Sequence, residues 1–531
     1  MIWILLGVVL AWIAFGPWVL VAAALALLVP RIRWWCQDRL WVTRRGVAIA
    51  AGVAVAVAAL VVVIPDGWLP VPQAPGVLAT PAYVGRPADP RPIPAQEVPA
   101  HPHLARNGAS SMHNDAWATD AYPWSGPLGE QPEVKTAWYG IEECATLAFD
   151  SHDRLVAMCG DLSGPTLHVI DPETMRKLAT KDLPDRPESD QAAWENICAG
   201  AYFYLDPADR AVLATTDRKV LAVRTADGEG NPELTTDQSW DLAPYVPAGD
   251  CLVALMPDWA GRIWWVSQDG LVGTITPDSG AIAVHDLGAE VANSLAADED
   301  GGVYVVTVKA LHRLAAGADG VPQVIWSAEY DRGKEKKPGQ LTRGSGTTPT
   351  LVDDRMVSIT DNADSRMNVV FLDRTTGEEV CRQPVFEEGA SATENSLVSV
   401  GSGVVVENNH DYSGPISTAL GFSTSPGLAR VDVADGECTL RWTADVTAPT
   451  SVAKASWANG LVYAYTKRPT WTGVSAWYVS AIDAGTGRAM WSVRTGTGLL
   501  MNNHYAAVTL APDASLYIAT LAGLVRVRDR R

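Results

Sequence analysis

Beyond residue 140 this chain contains eight short apolar runs, each introduced by an unusually polar residue. They read IEECATL, ENICAGA, GDCLVAL, VANSLAA, GTTPTLV, TENSLVS, SVAKASW and NNHYAAV. The polar leaders are Glu143, Asn196, Asp250, Asn293, Thr348, Glu394 with Asn395, Lys454 and His504. Carboxylate and amide oxygens are the ligands a hard cation such as Ca²⁺ takes. Beside such an ion, a carboxylate such as Glu394 would act on water and hydrolyse a lactone or ester. The same residues equally suit a solvated rim that holds no ligand. SSMHNDAWATD places His113, Asn114 and Asp115 side by side without strand alternation, as in a capping segment. VENNHDYSG and LMNNHYAAV repeat an Asn-Asn-His core, adding Asn408 and His410 to the candidates beside His504. Asn and His within apolar strands are costly unless hydrogen-bonded or liganded, although strand-end turns also use Asn. Nucleophile elbows, HExxH helices and phosphate loops are absent from the sequence.

The elements that must position these residues come from a repeat. Each apolar run leads into a polar turn and a second apolar run: FDSHDRLVAM, LDPADRAVLA, PDWAGRIWWV, DEDGGVYVV, VDDRMVSI, GSGVVVE, WANGLVYAY and PDASLYIA. The turns recur about every 52 residues. A third run usually ends in an Asp/Gly turn, as in VIDPETMRKL, FLDRTTGEEV and AIDAGTGRAMW. Short β-branched strands between such turns, repeated radially, specify a β-propeller. Eight repeats predict eight blades, with seven left open if one repeat is miscounted. The last repeat ends one strand short at LVRVRD, and VKTAWYG (134–140) is expected to supply that strand and close the ring. This register also suggests the disulfides. Cys144 and Cys159 flank one hairpin, Cys198 and Cys251 precede adjacent innermost strands, and Cys381 and Cys438 lie in neighbouring outer strands. The spacings fit a zinc cluster poorly.

AIDAGTGRAMW matches A-x-D-x-x-T-G-x-x-x-W through Ala481, Asp483, Thr486, Gly487 and Trp491. It resembles the tryptophan-docking motif of pyrroloquinoline quinone (PQQ) dehydrogenases, the quinoprotein-like superfamily of eight-bladed propellers. Weaker copies occur at LDRTTG (372–377) and VDVADGECTLRW (431–442). The resemblance covers roughly residues 133–531 and implies that the motif residues dock blades together, away from any quinone. Two roles follow from it. One is a binding or scaffold module, as in the outer-membrane assembly lipoprotein that keeps the motif without quinone. The other is a PQQ- or Ca²⁺-dependent oxidoreductase. The adjacent-cysteine pair of many alcohol-oxidising relatives is absent.

The N-terminal part carries a different pattern. Ile2–Val29 and Gly46–Ile64 hold no charge, and crossing a bilayer takes roughly 20 apolar residues. Between them Arg31, Arg33, Arg39, Arg44 and Arg45 outnumber Asp38, which by the positive-inside rule keeps that loop (30–45) cytoplasmic. The expectation for residues 1–64 is a two-helix transmembrane hairpin in the cytoplasmic (inner) membrane, with the rest extracytoplasmic. Residues 65–105 form a proline-rich linker, extended and semi-rigid, that would hold the domain off the membrane; residues 106–132 form the capping segment, and 133–531 the propeller. A net charge of −19 argues against nucleic acid as a partner. The partner expected instead is a small molecule or an envelope protein at the central funnel.

Overall fold

The computed structural model describes residues 2–39, 44–187, 195–198 and 201–530. Eight β-sheets form the body of the chain. Blades 1 to 7 span residues 143–182, 203–241, 252–286, 296–329, 350–384, 398–444 and 454–497. In each, four consecutive strands pair in antiparallel order, innermost to outermost. Blade 8 takes three strands from residues 509–529, and Pro132–Trp138 completes it by pairing along Gly523–Asp529. The ring has eight blades and closes as the sequence predicts.

The turn chemistry explains why these segments become hairpins. In blades 1 to 3 the first turn is an Asp-x-x-x-Arg device. Asp150 Oδ1 accepts from the amides of His152 (3.0 Å) and Arg154 (2.9 Å), while its Oδ2 accepts from Arg154 Nε at 2.8 Å. Asp206 with Arg210 and Asp258 with Arg262 repeat the arrangement. One carboxylate thus closes the turn and fixes the arginine that starts the second strand.

Blades are joined by tryptophans. In AIDAGTGRAMW, Asp483 Oδ1 accepts from the Thr486 amide and hydroxyl, both at 2.8 Å, and Gly487 takes a left-handed φ of 72°. That turn receives Trp442 of blade 6. Its Nε1 donates to Ala484 O at 3.0 Å, and a Cβ on Gly487 would meet the ring at 2.6 Å. Trp326 of blade 4 docks likewise on LDRTTG of blade 5, through Arg374 O at 3.0 Å and Gly377. Trp491 itself faces blade 8, whose outermost strand comes from the other end of the chain. There the ring lies on Gly129, and its buried N–H finds no acceptor among the described residues. Trp442→Ala should cost about 3–5 kcal/mol of stability, as for other buried large-to-small aromatic changes. Trp442→Phe should lose only about 1 kcal/mol for the hydrogen bond. Denaturant melts of the two variants check the difference.

Cys144–Cys159, Cys198–Cys251 and Cys381–Cys438 are disulfide-bonded, the three pairs the blade register suggests. Cys36 is a free thiol. Three structural disulfides indicate folding in an oxidising, extracytoplasmic compartment.

The N-terminal region departs from expectation in two ways. Four helices occur: α1 (Ile2–Phe15), α2 (Trp18–Ala26), α3 (Pro30–Arg39) and α4 (Arg44–Val63). The stretch Ile2–Val29 is therefore not one helix. It breaks at Gly16, with φ of 82°, and Pro17. The break is docked on blade 7, where a Cβ on Gly16 would lie 2.7 Å from Val474 and one on Gly473 would lie 2.9 Å from Pro17. Among the described residues no single helix is long and apolar enough to cross a membrane. Trp18–Ala26 and Pro30–Asp38 together pass by length and composition but are bent by 93°. Residues 40–43 of the arginine-rich loop lie outside the described residues.

Second, the proline-rich segment is extended but does not stand free. Trp138 N donates to Leu69 O (2.8 Å), Ala74 N to Thr497 O (2.9 Å) and Ile93 N to Trp457 O (3.0 Å). Tyr83–Gly85 adds an outer strand to blade 7. Exposed sheet edges offer unpaired backbone groups, and the linker satisfies them instead of spacing the domain away.

Candidate functional site at the funnel face

The innermost strands all begin on one face of the ring, and the channel behind that face is filled by the chain itself. Residues 105–122 run inside it, lending backbone groups to several innermost strands. Leu205 N donates to Ser110 O, Ala297 N to Ala116 O, Leu351 N to Trp117 O, Ser399 N to Thr119 O and Ala455 N to Asp120 O. Ala121–Tyr122 pairs parallel with Lys454–Ser456. The segment expected to cap the propeller is thus an internal plug.

At its centre Lys454 Nζ donates to Met112 O and to Asp120 Oδ1, with both charged side chains fully buried. His113 Nδ1 lies 3.1 Å from both Asp120 oxygens, and its Nε2 lies 3.2 Å from Thr348 Oγ1. Burial lowers the Lys454 ammonium below its ordinary value, against the pull of Asp120. Asp115 accepts from the amides of Trp117 and Thr119 and from the Thr119 hydroxyl, and burial raises its carboxyl to about 6. His113 and Asp115 therefore sit in the plug with internal partners.

The other candidates divide among separate surroundings. Asp250 Oδ1 accepts from the amides of Cys251 and Asp269. Asn293 Nδ2 donates to Ser345 O at 3.2 Å. Asn395 Nδ2 donates to Glu407 Oε2 at 2.7 Å and Ser451 O at 2.8 Å. Asn408 Oδ1 accepts from Ala392 N, and its Nδ2 donates to Ala390 O and Pro426 O, tying down the loop that follows it. His410 Nδ1 faces Ser425 Oγ and Asp411. Glu394 is buried, and burial raises its carboxyl to about 8, with the Leu341 amide opposing.

Glu143, Asn196 and His504 do come together. They line a cavity of about 380 Å³ on the funnel face between blades 8, 1 and 2, with Arg186, Ile197 and Leu500. Its outer edge carries Ile141, Leu162 and Leu499, all exposed. Glu143 Oε1 accepts from His504 N at 2.7 Å, and His504 Nδ1 lies 3.0 Å from the Tyr412 hydroxyl. Burial raises the Glu143 carboxyl to about 8, the His504 amide being too little to offset it. Near neutral pH Glu143 is mostly protonated and presents a hydrogen-bond donor inside an apolar-edged cavity.

A Ca²⁺ ion needs its oxygens around one point. Glu143 and Asp250 each give one oxygen to backbone amides and Asn293 and Asn395 donate through Nδ2, while Asp250 Oδ2 and Asn395 Oδ1 are buried without a hydrogen-bond partner among the described residues. Among the described residues, Glu142, Cys159 and His168 bring donor atoms within 4.8 Å, but Cys159 is in a disulfide and Glu142 is already paired with His168 and Lys177. Sequence reasoning missed Asp120 and Glu407, the buried partners of Lys454 and Asn395. Glu407 ending the run VVVE was the available signal, because an acid terminating an apolar strand needs a partner.

No protein-family profile matches the chain. An uncharacterized protein of Archaeoglobus fulgidus is 29% identical over 324 residues, covering 54% of this chain. The chain spans 62% of that relative's length. Among solved structures it is similar to BamB from Moraxella catarrhalis (TM-score 0.38, 15% identity, 60% of this chain and 93% of that one). It is also similar to the β-propeller domain of Myceliophteria thermophila Cps50 (Swd1) (TM-score 0.36, 11% identity, 73% and 96%).

Proposed function

We propose that this protein is a membrane-anchored, extracytoplasmic binding module that takes a small molecule or an envelope partner at the funnel face. The observation that carries this reading is the contrast within one face. The axis is plugged by the chain's own segment, whereas the Glu143 cavity is open, apolar-edged and lined by a carboxyl that accepts from the His504 amide. Concave, mostly apolar cavities with a few convergent polar groups are where ligands bind. The apolar N-terminal helices supply the anchor and the disulfides the compartment.

The quinoprotein-like assignment draws on AIDAGTGRAMW and its copies, whose side chains join blades. That role supports a scaffold and is silent on a quinone. Thermal melts of the full chain in nanodiscs, with PQQ and Ca²⁺ together and with a panel of uncharged amphiphiles, test the reading. A ligand of the cavity raises the midpoint through linkage to the folded state, and Glu143→Gln should reduce that rise. A rise with PQQ and Ca²⁺ that survives Glu143→Gln would replace this reading by the oxidoreductase.

A further inference from the structure

Beside the helix break, the funnel face carries an apolar ridge that nothing among the described residues covers. It is built from two loops between second and third strands, in blades 6 and 7. Ile416, Leu420 and Phe422 come from the first loop and Trp471 from the second. Ile416 is 73% exposed and Trp471 84%. The loops are locked together: Gly421 N donates to Ser475 Oγ at 3.1 Å, and Ser475 Oγ to Thr418 O at 2.7 Å. Neither Gly414–Ala429 nor Pro469–Ile482 holds a charged residue. Exposed apolar side chains scattered singly need no explanation, but a contiguous uncharged ridge marks a contact surface.

Continuity identifies the contact. Trp18 Nε1, at the start of α2, donates to Trp471 O at 2.8 Å. Gly76 N and Leu78 N donate to Ile13 O and Ala14 O, fastening the end of α1 to the same edge. The two helices bear Leu10, Phe15 and Leu25 outward, and Leu28 just beyond them is exposed as well. A surface of that composition suits lipid, and the ridge adjoins it where Trp18 meets Trp471. Tryptophan is favoured at the headgroup level because its ring is amphipathic.

We infer that Ile416, Leu420, Phe422 and Trp471 are embedded in the bilayer surface, so that the funnel face of the propeller lies against the membrane. This rests on the membrane-anchored reading above. The bound state follows interfacial rather than spanning geometry, with the side chains dipping to the headgroup–acyl boundary. The Glu143 cavity shares this face, and Leu499 on its edge belongs to the short helix that packs against the Pro415–Gly421 loop.

The test uses the full chain carrying Cys36→Ser, reconstituted in phosphatidylcholine vesicles. An environment-sensitive fluorophore is placed through Trp471→Cys and, independently, through Phe422→Cys. Ile325→Cys, on an exposed outer strand of blade 4, is the reference. Expected is loss of emission to a nitroxide on the lipid chains at 471 and 422 with protection from iodide, and the reverse at 325. Vesicle flotation separates the two levels. If the protein floats but 471 and 422 are quenched by iodide as 325 is, the ridge assignment is wrong and the anchor stands. If it does not float, the anchor and this inference fall together. Protection from both quenchers would mean a protein occupant and overturn the lipid assignment.

Discussion

Asp120→Asn should remove about 3–5 kcal/mol of stability, the usual result of stranding one member of a buried ion pair. The reason lies in the plug. Lys454 is fully buried on the innermost strand of blade 7, with Met112 O and Asp120 as its hydrogen-bond acceptors. With Asn at 120 the ammonium keeps one carbonyl and loses its countercharge. The variant should therefore fold with a neutral lysine. A lysine held below its unfolded value binds fewer protons when folded, so the stability of Asp120→Asn should climb as pH rises toward ~10. The double variant Asp120→Leu/Lys454→Met should recover much of the loss, since apolar replacement of a whole buried pair is often neutral. Urea melts at pH 6 and pH 10 read both statements. An Asp120→Asn protein as stable as wild type at pH 6 would contradict the plug geometry.

The second large effect is the penalty that two buried carboxyls impose as pH rises from acid toward neutral, set against His101 and His312, which burial lowers to about 4 and which return stability as pH rises toward ~6.5. Burial raises Glu143 and Glu394 to about 8, whereas an unfolded glutamate titrates near ~4.3. Between those limits each of these folded carboxyls binds more protons than its unfolded counterpart, so its contribution to stability drops as pH rises through the window and levels off above it. Asp115, raised to about 6 by burial, adds to the slope at its lower end. Lys467, lowered to about 8 by burial, acts above the window, returning stability as pH rises further. The combined Glu143→Gln/Glu394→Gln variant should match wild type near pH 4 and exceed it near pH 8 by about 2–4 kcal/mol, discounted because Glu143 opens onto the cavity. Melting midpoints across pH 4–8 measure it. Parallel curves for the two proteins would show that neither carboxyl is held neutral.

Much of the fold was legible because its signals are local and repeated. Asp150, Asp206 and Asp258 each start the same turn, and the eight polar turns of the repeat fix strands, blades and the face on which Glu143 through His504 begin. The strand Pro132–Trp138 was legible as the element that the incomplete last repeat required. The disulfides followed from blade adjacency. What was not legible depends on groups far apart in the chain. An apolar count over Ile2–Val29 carries no trace of Val474, which receives Gly16. Prolines between 65 and 102 mark extension, but the open edge of blade 7 that Tyr83–Gly85 joins is made some 400 residues later. The polar strand leaders share a face as expected. Which of them meet depends on the plug, which occupies the axis and leaves Glu143, Asn196 and His504 the open ground.

The plug and the closing strand belong to the earliest-made part of the domain, yet both contact the latest. Residues 105–138 leave the ribosome before any blade exists, and Pro132–Trp138 waits for Gly523–Asp529. During export, blades 1 to 7 can form as hairpins in order, but the chain stays an open arc until its last strands arrive. Losing Gly523–Asp529 would leave blade 8 without the strand that Pro132–Trp138 joins.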